Sequence, residues 1–272
     1  MSNGTSNANA LAGKRIAIMG GTAGLGLSAA KAFMASGARV VAVGLKPENV
    51  ANAQRELGDV AFVLQGDATK PETAAAAVAQ VVSAWGGLDG LYHVAGGSGR
   101  RWGDGPLHEL TDAGWDATLN LNLTSLFYSN RAAIRQFLAQ GGGGSVLNMG
   151  SVLGYSPSPR FFATHAYAAA KAAIIGLTKT CAAHYAPQNI RFNVIAPALV
   201  ETPMAQRAAN DATILSFIKT KQPLDGGRIG QPSDLDAAAV YFLSDAAKFT
   251  TGQVLAVDGG WSVSEGQIPD VP

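Results

Sequence analysis

The sequence predicts an α/β fold: a doubly wound, parallel seven-stranded sheet with helices on both faces. Three observations predict it. Short β-branched runs alternate with Ala-rich helical stretches, a glycine-rich turn follows the first of those runs, and no break in composition marks a second domain. Strands are read at 15–19, 39–43, 60–65, 88–94, 145–149, 190–195 and 253–257. Helices are read at 24–36, 48–57, 71–85 and 112–139, from about Tyr167 to Ala186, and at 232–243, with a helical excursion at 204–221. Thr111 or Asp112 is a fitting N-cap for the long stretch 112–139, and alanines 74–77 are helix filler. Glycines 141–144 read as a flexible turn before the fifth strand. Right-handed crossovers between parallel strands place helices on both faces.

The 272 residues are 47% hydrophobic, enough for a large core, and only 14% charged. Typical globular chains carry about 25% charged residues, so part of this surface is expected to be covered by other subunits. A net charge of +1 with no basic or acidic block argues against nucleic acid or a membrane surface as partner. No apolar run reaches the about 18 residues needed to span a bilayer. Residues 1–10 are polar and read as a disordered leader, 11–263 as the folded domain and 264–272 as a tail. Cys181 is the only cysteine, so no intrachain disulfide can form and the cytoplasm is the simplest setting. No fixed-period repeat is present, and no metal site is expected.

The turn after strand one runs Gly20-Gly21-Thr22-Ala23-Gly24-Leu25-Gly26. In a doubly wound sheet this is where a dinucleotide pyrophosphate can approach backbone amides and the positive end of a helix. The alternative is a tight turn that simply needs small residues. Tyr167 and Lys171 are four residues apart and share a helix face, with Ser151 upstream at the end of an apolar run. An ammonium beside a phenol favours phenolate, which makes Tyr167 a candidate general acid/base on an alcohol oxygen.

Together these motifs resemble the short-chain dehydrogenase/reductase superfamily, in its compact single-domain branch, over about residues 11–263. The family's T-G-x-x-x-G-x-G resembles Met19-Gly20-Gly21-Thr22-Ala23-Gly24-Leu25-Gly26, with Met19 in place of Thr. Its N-N-A-G resembles His93-Val94-Ala95-Gly96, its helical Asn matches Asn122, and its Ser, Tyr and Lys match Ser151, Tyr167 and Lys171. Pro197-Ala198 stands where the family has P-G, followed by Thr202, and Thr251-Gly252-Gln253-Val254 with Asp258-Gly259-Gly260 fits the family's tail.

The resemblance implies an NAD(P)-dependent oxidoreductase that interconverts a secondary alcohol and a ketone. Tyr167 would move the proton, Ser151 would bond the same oxygen, and Lys171 would lower the phenol pKa and bond the nicotinamide ribose. Asn122 would hold a water leading from Lys171, with Asn120 as its rival. The cofactor would lie along Gly20, Thr22, Ala23, Gly24, Leu25 and Gly26, then Gly44, Leu45 and Lys46, then Asp67 and Ala68 beside adenine. Ala95, Gly96, Tyr167, Lys171, Pro197, Ala198, Val200 and Thr202 would complete its site.

Gly44 lacks the carboxylate that selects NAD, and Leu45 lacks the Arg that selects NADP. Lys46 tips the expectation to NADP. His93 is expected to compensate for Met19, with a catalytic base as the alternative. Ala198 is tolerable if its φ stays negative.

Substrate contacts are expected from two insertions, 97–106 and the stretch before Tyr167, and from a lid at 198–229. These supply Arg100, Trp102, Phe161, Phe162 and Met204, with Arg101, His165 and Ile214 as further candidates. The paired arginines would attract a carboxylate or phosphate, or else face solvent. The substrate is expected to be a small alcohol or ketone and the assembly a homotetramer. A non-catalytic dinucleotide sensor is the alternative, against which the intact Asn-Ser-Tyr-Lys set argues. A sugar-nucleotide epimerase or dehydratase would be expected to carry a larger C-terminal substrate domain.

Overall fold

A computed structural model describes residues 9–267. Seven strands form one sheet: β1 (Arg15–Met19), β2 (Arg39–Gly44), β3 (Phe62–Gln65), β4 (Gly90–His93), β5 (Gly144–Met149), β6 (Ile190–Pro197) and β7 (Val254–Val257). Their order is β3-β2-β1-β4-β5-β6-β7, and every pairing is parallel. The order reverses between β1 and β4. That switch point opens a crevice at the carboxyl ends of these strands, where ligands of such sheets bind.

The helices are α1 (Gly24–Ala35), α2 (Pro47–Leu57), α3 (Pro71–Trp85), α4 (Asp112–Leu119), α5 (Ser125–Gln140), α6 (His165–Tyr185), α7 (Gln206–Ala209), α8 (Ala212–Lys221) and α9 (Asp236–Leu243). Strand residues alternate between the two faces of the sheet. On one face Ile16, Ile18 and Val40 meet Phe33 of α1 and Phe242 of α9. On the other, Ala17, Val41 and Val43 meet Val81 of α3 and Phe137 of α5. Each fully buried large side chain of this kind contributes about 1.5–3 kcal/mol of transfer free energy.

The seven expected strands and their parallel pairing are all present, with small shifts at the ends. Strand three starts at Phe62 rather than 60, and strand four is confined to Gly90–His93. Thr111 is the N-cap of α4, its hydroxyl accepting from the Gly114 amide at 2.9 Å.

One expectation is corrected: 112–139 is not a single α-helix. A π turn at Asn120–Thr124 separates α4 from α5, with the Ser125 amide donating to the Asn120 carbonyl. Such a turn inserts one residue and frees one carbonyl from the helical ladder, a feature concentrated at functional sites. The excursion 204–221 is likewise two helices, α7 and α8, and 232–243 begins as a 3-10 turn at Pro232–Leu235.

Residues 1–8 of the expected leader and 268–272 of the tail lie outside the described residues. Leu11 is fully buried, and the tail as far as Gln267 lies on α8, where the Gln267 amide donates to Thr220 at 2.6 Å. Among the described residues no helix is long and apolar enough to cross a membrane, and no cluster of metal-ligating side chains occurs.

Candidate active site

The turn between β1 and α1 is built by close backbone approach. A Cβ on Gly26 would lie 2.0 Å from the Gly20 carbonyl oxygen, so a side chain there is impossible without opening the turn. Ala23 gives α1 no side-chain cap, and the first turn holds no acidic residue. The amides at that helix start therefore keep their capacity for an anion. Thr202 closes over the turn from beyond β6, its methyl 3.4 Å from where a Gly24 Cβ would stand. These features fit a dinucleotide pyrophosphate.

Met19, which lacks the hydroxyl of the family's Thr, is held through its main chain. Its carbonyl accepts from the amides of both Val94 and Ala95 at 2.8 Å, tying the turn to the loop after β4. His93 precedes these amides at the end of β4. Its ring is buried against α5, 2.7 Å from the Ser129 hydroxyl and 3.3 Å from that of Ser125. Burial, with the nearby Lys171 charge, lowers it to about 3, so it stays neutral, with both ring nitrogens on serine hydroxyls of α5.

At the end of β2, Gly44 is a glycine because Thr22 fills its side-chain space: a Cβ there would lie 1.8 Å from the Thr22 hydroxyl oxygen. Thr22 itself is buried, at 5% exposure. Leu45 is exposed, and the exposed Lys46 ammonium lies 3.9 Å from Glu48. Asp67 uses one carboxylate oxygen as a strand-end cap, accepting from the Thr69 amide at 2.9 Å and hydroxyl at 2.7 Å. Ala68 beside it packs on the second core cluster. Beyond β6, Ala198 keeps a negative φ: the described non-glycine residues with positive φ are Asn189 and Asp225. Val200 is buried and bridges to Gly230.

Four expected residues converge where β4, β5, α6 and the π turn meet. Asn122 is fully buried, with its side chain committed to structure. It accepts from the Gly97 amide at 3.0 Å and donates to the carbonyls of Gly97 and Thr118, each at 2.9 Å. A Cβ on Gly96 would lie 2.7 Å from the Asn122 oxygen and 3.6 Å from the Lys171 nitrogen, which locates both groups at this loop. Asn120, the rival, is exposed.

Lys171 is 3% exposed, donates to the Met149 carbonyl at 2.8 Å and lies 5.5 Å from the Tyr167 ring centroid. Burial lowers it to about 7. Burial also raises the Tyr167 phenol to about 12, opposed by a hydrogen bond with Ser151. The expectation that Lys171 lowers the phenol is therefore not met in this arrangement. Desolvation falls on both groups and dominates, although Tyr167 keeps partial access to solvent.

One residue at this site carries no recognisable sequence signal. Asp104, 5% exposed, comes from the 97–106 insertion, and its two oxygens accept from the amides of Ala166 and Tyr167 at 3.0 and 3.1 Å. Thr164, at the N-cap position of α6, supplies no side-chain cap. Asp104 does so across 62 residues of chain and fixes the helix turn that carries the phenol. A Gly-Asp-Gly context is the only hint, and it reads equally as an ordinary turn.

The substrate-side residues divide. Phe161 packs on Phe217 at 5.1 Å between centroids, and Phe162 meets buried Trp261 edge-on at 5.5 Å. With Val152 and Ile214 they form an apolar cluster that also touches Ala198. Arg100 and Arg101 part company. Arg101 stacks on Trp102 at 3.9 Å, whereas Arg100 reaches the Phe161 carbonyl. The Arg207 guanidinium, missed in the sequence because helix surface is its ordinary place, donates to the same carbonyl at 3.1 Å. His165 is exposed, and the Met204 side chain lies outside the described residues. A separate cavity of about 560 Å³, lined by Lys14, Asp89 and Arg191 among others, sits at the amino-terminal ends of the strands and contains none of these residues.

A family model described as Enoyl-(Acyl carrier protein) reductase matches residues 20–262. The chain is 35% identical over 253 residues to a 2,5-dichloro-2,5-cyclohexadiene-1,4-diol dehydrogenase of Sphingobium indicum, covering 93% of this chain and 98% of that one. It is 33% identical to a cis-4-hydroxycyclohexanecarboxylate dehydrogenase of Sinomonas cyclohexanicum, covering 92% and 97%. The solved structure of a short-chain type dehydrogenase/reductase from Mycobacterium ulcerans superposes with a TM-score of 0.84 at 30% identity, over 94% of this chain and 93% of that one. The chain belongs to the short-chain dehydrogenase/reductase superfamily. It is an NAD(P)-dependent oxidoreductase that interconverts secondary alcohols and ketones.

Proposed function

We propose that Tyr167 is the general acid/base of this reaction, with Ser151, Lys171 and Asn122 as its partners. The observation that carries this is Lys171: a lysine at 3% exposure, bonded to one main-chain carbonyl and to no carboxylate among the described residues, beside a phenol. A nicotinamide cofactor, when bound, supplies the hydride acceptor or donor. In oxidation, Tyr167 takes the proton from the substrate hydroxyl while the Ser151 hydroxyl bonds the same oxygen and steadies its developing charge. Lys171 passes the proton on from the phenol. A water held at Asn122, which is buried beside the Gly96–Gly97 loop and Lys171, would lead it to solvent. In reduction the proton runs the other way.

The pH dependence follows from this pair. The proton that leaves first belongs to Tyr167 and Lys171 jointly and departs near the lysine's value of about 7. Oxidation needs that proton gone, and reduction needs it present. Initial rates followed at the nicotinamide absorbance should therefore rise with pH through about 7 for alcohol oxidation and fall for ketone reduction. Flat profiles in both directions would remove the pair from the proton path.

The cofactor is proposed to be NADP, with a modest preference over NAD. Gly44 offers no carboxylate to repel a ribose phosphate, and Lys46 offers one exposed charge. The relatives' names favour a cyclic secondary alcohol as substrate, and the aromatic cluster around Phe161 suits such a ring. The catalytic unit is proposed as one domain over 11–263, acting in the cytoplasm, where the lone, half-buried Cys181 thiol stays reduced. The assembly is proposed to be a homotetramer. Exposed large apolar side chains support it: Trp115, Phe127 and Leu138 on α4 and α5, and Tyr241 and Leu255 on α9 and β7. Light scattering at micromolar concentration should give four subunits, and a stable monomer would refute this.

A further inference from the structure

We propose that the substrates of this enzyme carry a carboxylate, held by Arg100 and Arg207 at the rim of the cleft while the alcohol carbon faces Tyr167. The inference rests on the oxidoreductase reading and deepens it. Arg100 lies in the 3-10 turn Arg100–Trp102 and Arg207 in α7, segments far apart in the chain. Their guanidiniums nonetheless converge on one acceptor, the Phe161 carbonyl oxygen, at 3.4 and 3.1 Å. A third guanidinium, that of Arg160, lies 5.6 Å from the Phe161 ring centroid. Among the described residues none of the three has a carboxylate within ion-pair distance.

The nearest acid in the same loop is Asp104, and both its oxygens are engaged by the first amides of α6. Two positive charges thus converge on one neutral carbonyl, with a third beside the ring of the same residue. Each guanidinium has five N–H donors, so Arg100 and Arg207 keep most of theirs for a ligand. Gathering like charges costs free energy that an anion between them recovers. The mutual effect is felt: Arg100 is held below its ordinary value by burial and then by the Arg207 charge, with the Asp104 carboxylate opposing them. A planar two-oxygen anion matches a pair of guanidinium forks, one oxygen to each.

The position suits a substrate. Arg100 is four residues from Asp104, so its backbone lies within about 14 Å of the residue whose carboxylate caps α6, which carries Tyr167. Phe161 and Phe162, in the loop before α6, are partly buried and present an apolar neighbourhood backed by buried Phe217 and Trp261. The geometry points to a molecule with a carboxylate at one end, an apolar body and a secondary alcohol or ketone at the other. Arg101 takes no part, since its guanidinium is stacked on Trp102.

The test uses matched pairs of secondary hydroxy acids, cyclic and open-chain, and their methyl esters. Rates and calorimetric binding in the presence of cofactor are measured on the wild type, Arg100→Gln, Arg207→Gln and the double variant. The wild type is expected to favour acid over ester by tenfold or more in kcat/KM, and each substitution to cut that ratio by about tenfold, mainly through KM. A ratio near one in the wild type, or a ratio unchanged in the variants, overturns the proposal. A raised cofactor Kd with an unchanged ratio assigns the guanidiniums to the cofactor instead and also overturns it. If no alcohol in the panel turns over with either cofactor, the assigned chemistry fails. Tighter calorimetric binding of acid than ester, lost in the double variant, then still upholds the carboxylate site, and equal binding refutes it.

Discussion

Tyr167→Phe is expected to lower kcat/KM by about a hundredfold or more in both directions, with cofactor Kd nearly unchanged. The substitution removes one oxygen, the one that a hydrogen bond with Ser151 holds against the effect of burial. The ring remains, and so does its packing within the first turn of α6, which Asp104 caps through the amides of Ala166 and Tyr167. Lys171 keeps its bond to the Met149 carbonyl, so the part of the site expected to hold the nicotinamide ribose survives. The loss therefore belongs to proton transfer and falls on kcat. Stopped-flow fluorescence for cofactor Kd and steady-state rates separate the two. Turnover within a few-fold of wild type would mean that another group carries the proton.

Gly44→Asp is expected to fail as a route to an NADH-dependent enzyme. The change introduces the carboxylate that should bond ribose hydroxyls and repel a phosphate. Its Cβ, however, would stand 1.8 Å from the Thr22 oxygen and 2.6 Å from the Thr22 methyl carbon, and Thr22 is only 5% exposed. Overpacking of this kind typically costs about 1–3 kcal/mol, which here falls on the turn that receives the pyrophosphate. The single variant should lose thermal stability and bind both cofactors more weakly. Thr22→Gly combined with Gly44→Asp should recover Tm and favour NADH, whereas the wild type is expected to favour NADPH by a modest factor through Lys46. Melting temperature and Kd for each cofactor across the three proteins decide this. A single variant with wild-type Tm and improved NADH affinity would show that Thr22 is free to move, and a wild type that prefers NADH would reduce Lys46 to ordinary surface.

Thr22 and Gly44 illustrate what the sequence can show. Seven alternating runs expose the doubly wound sheet, because β-branched and Ala-rich segments differ in local pattern. The order Asn122, Ser151, Tyr167, Lys171 is equally visible as motifs. The missing acid at residue 44 is visible too, but its cause is not, since the methyl and hydroxyl of Thr22 reach that space from a different strand end. Contacts of this kind depend on tertiary approach, which no local pattern encodes. The same holds for Asp104, whose two acceptor bonds cross the chain to α6. It holds for Arg207, which is ordinary helix surface until it meets Arg100 at one carbonyl. The π turn at Asn120–Thr124 stays hidden because its residues suit an α-helix equally well. His93 shows the opposite hazard. A titratable residue inside a matched motif suggests chemistry, yet its ring is buried against Ser125 and Ser129 and does structural work.

Transfer of isotope tests the central claim most directly. A panel of secondary alcohols bearing deuterium at the carbinol carbon is incubated with the enzyme and oxidised cofactor, and the nicotinamide is examined by mass spectrometry and NMR. Deuterium should appear on the cofactor ring with the wild type and be lost to background with Tyr167→Phe, although that variant still binds cofactor. Tight cofactor binding by the wild type with no label transferred from any alcohol would contradict the account and leave a dinucleotide-binding protein without this chemistry.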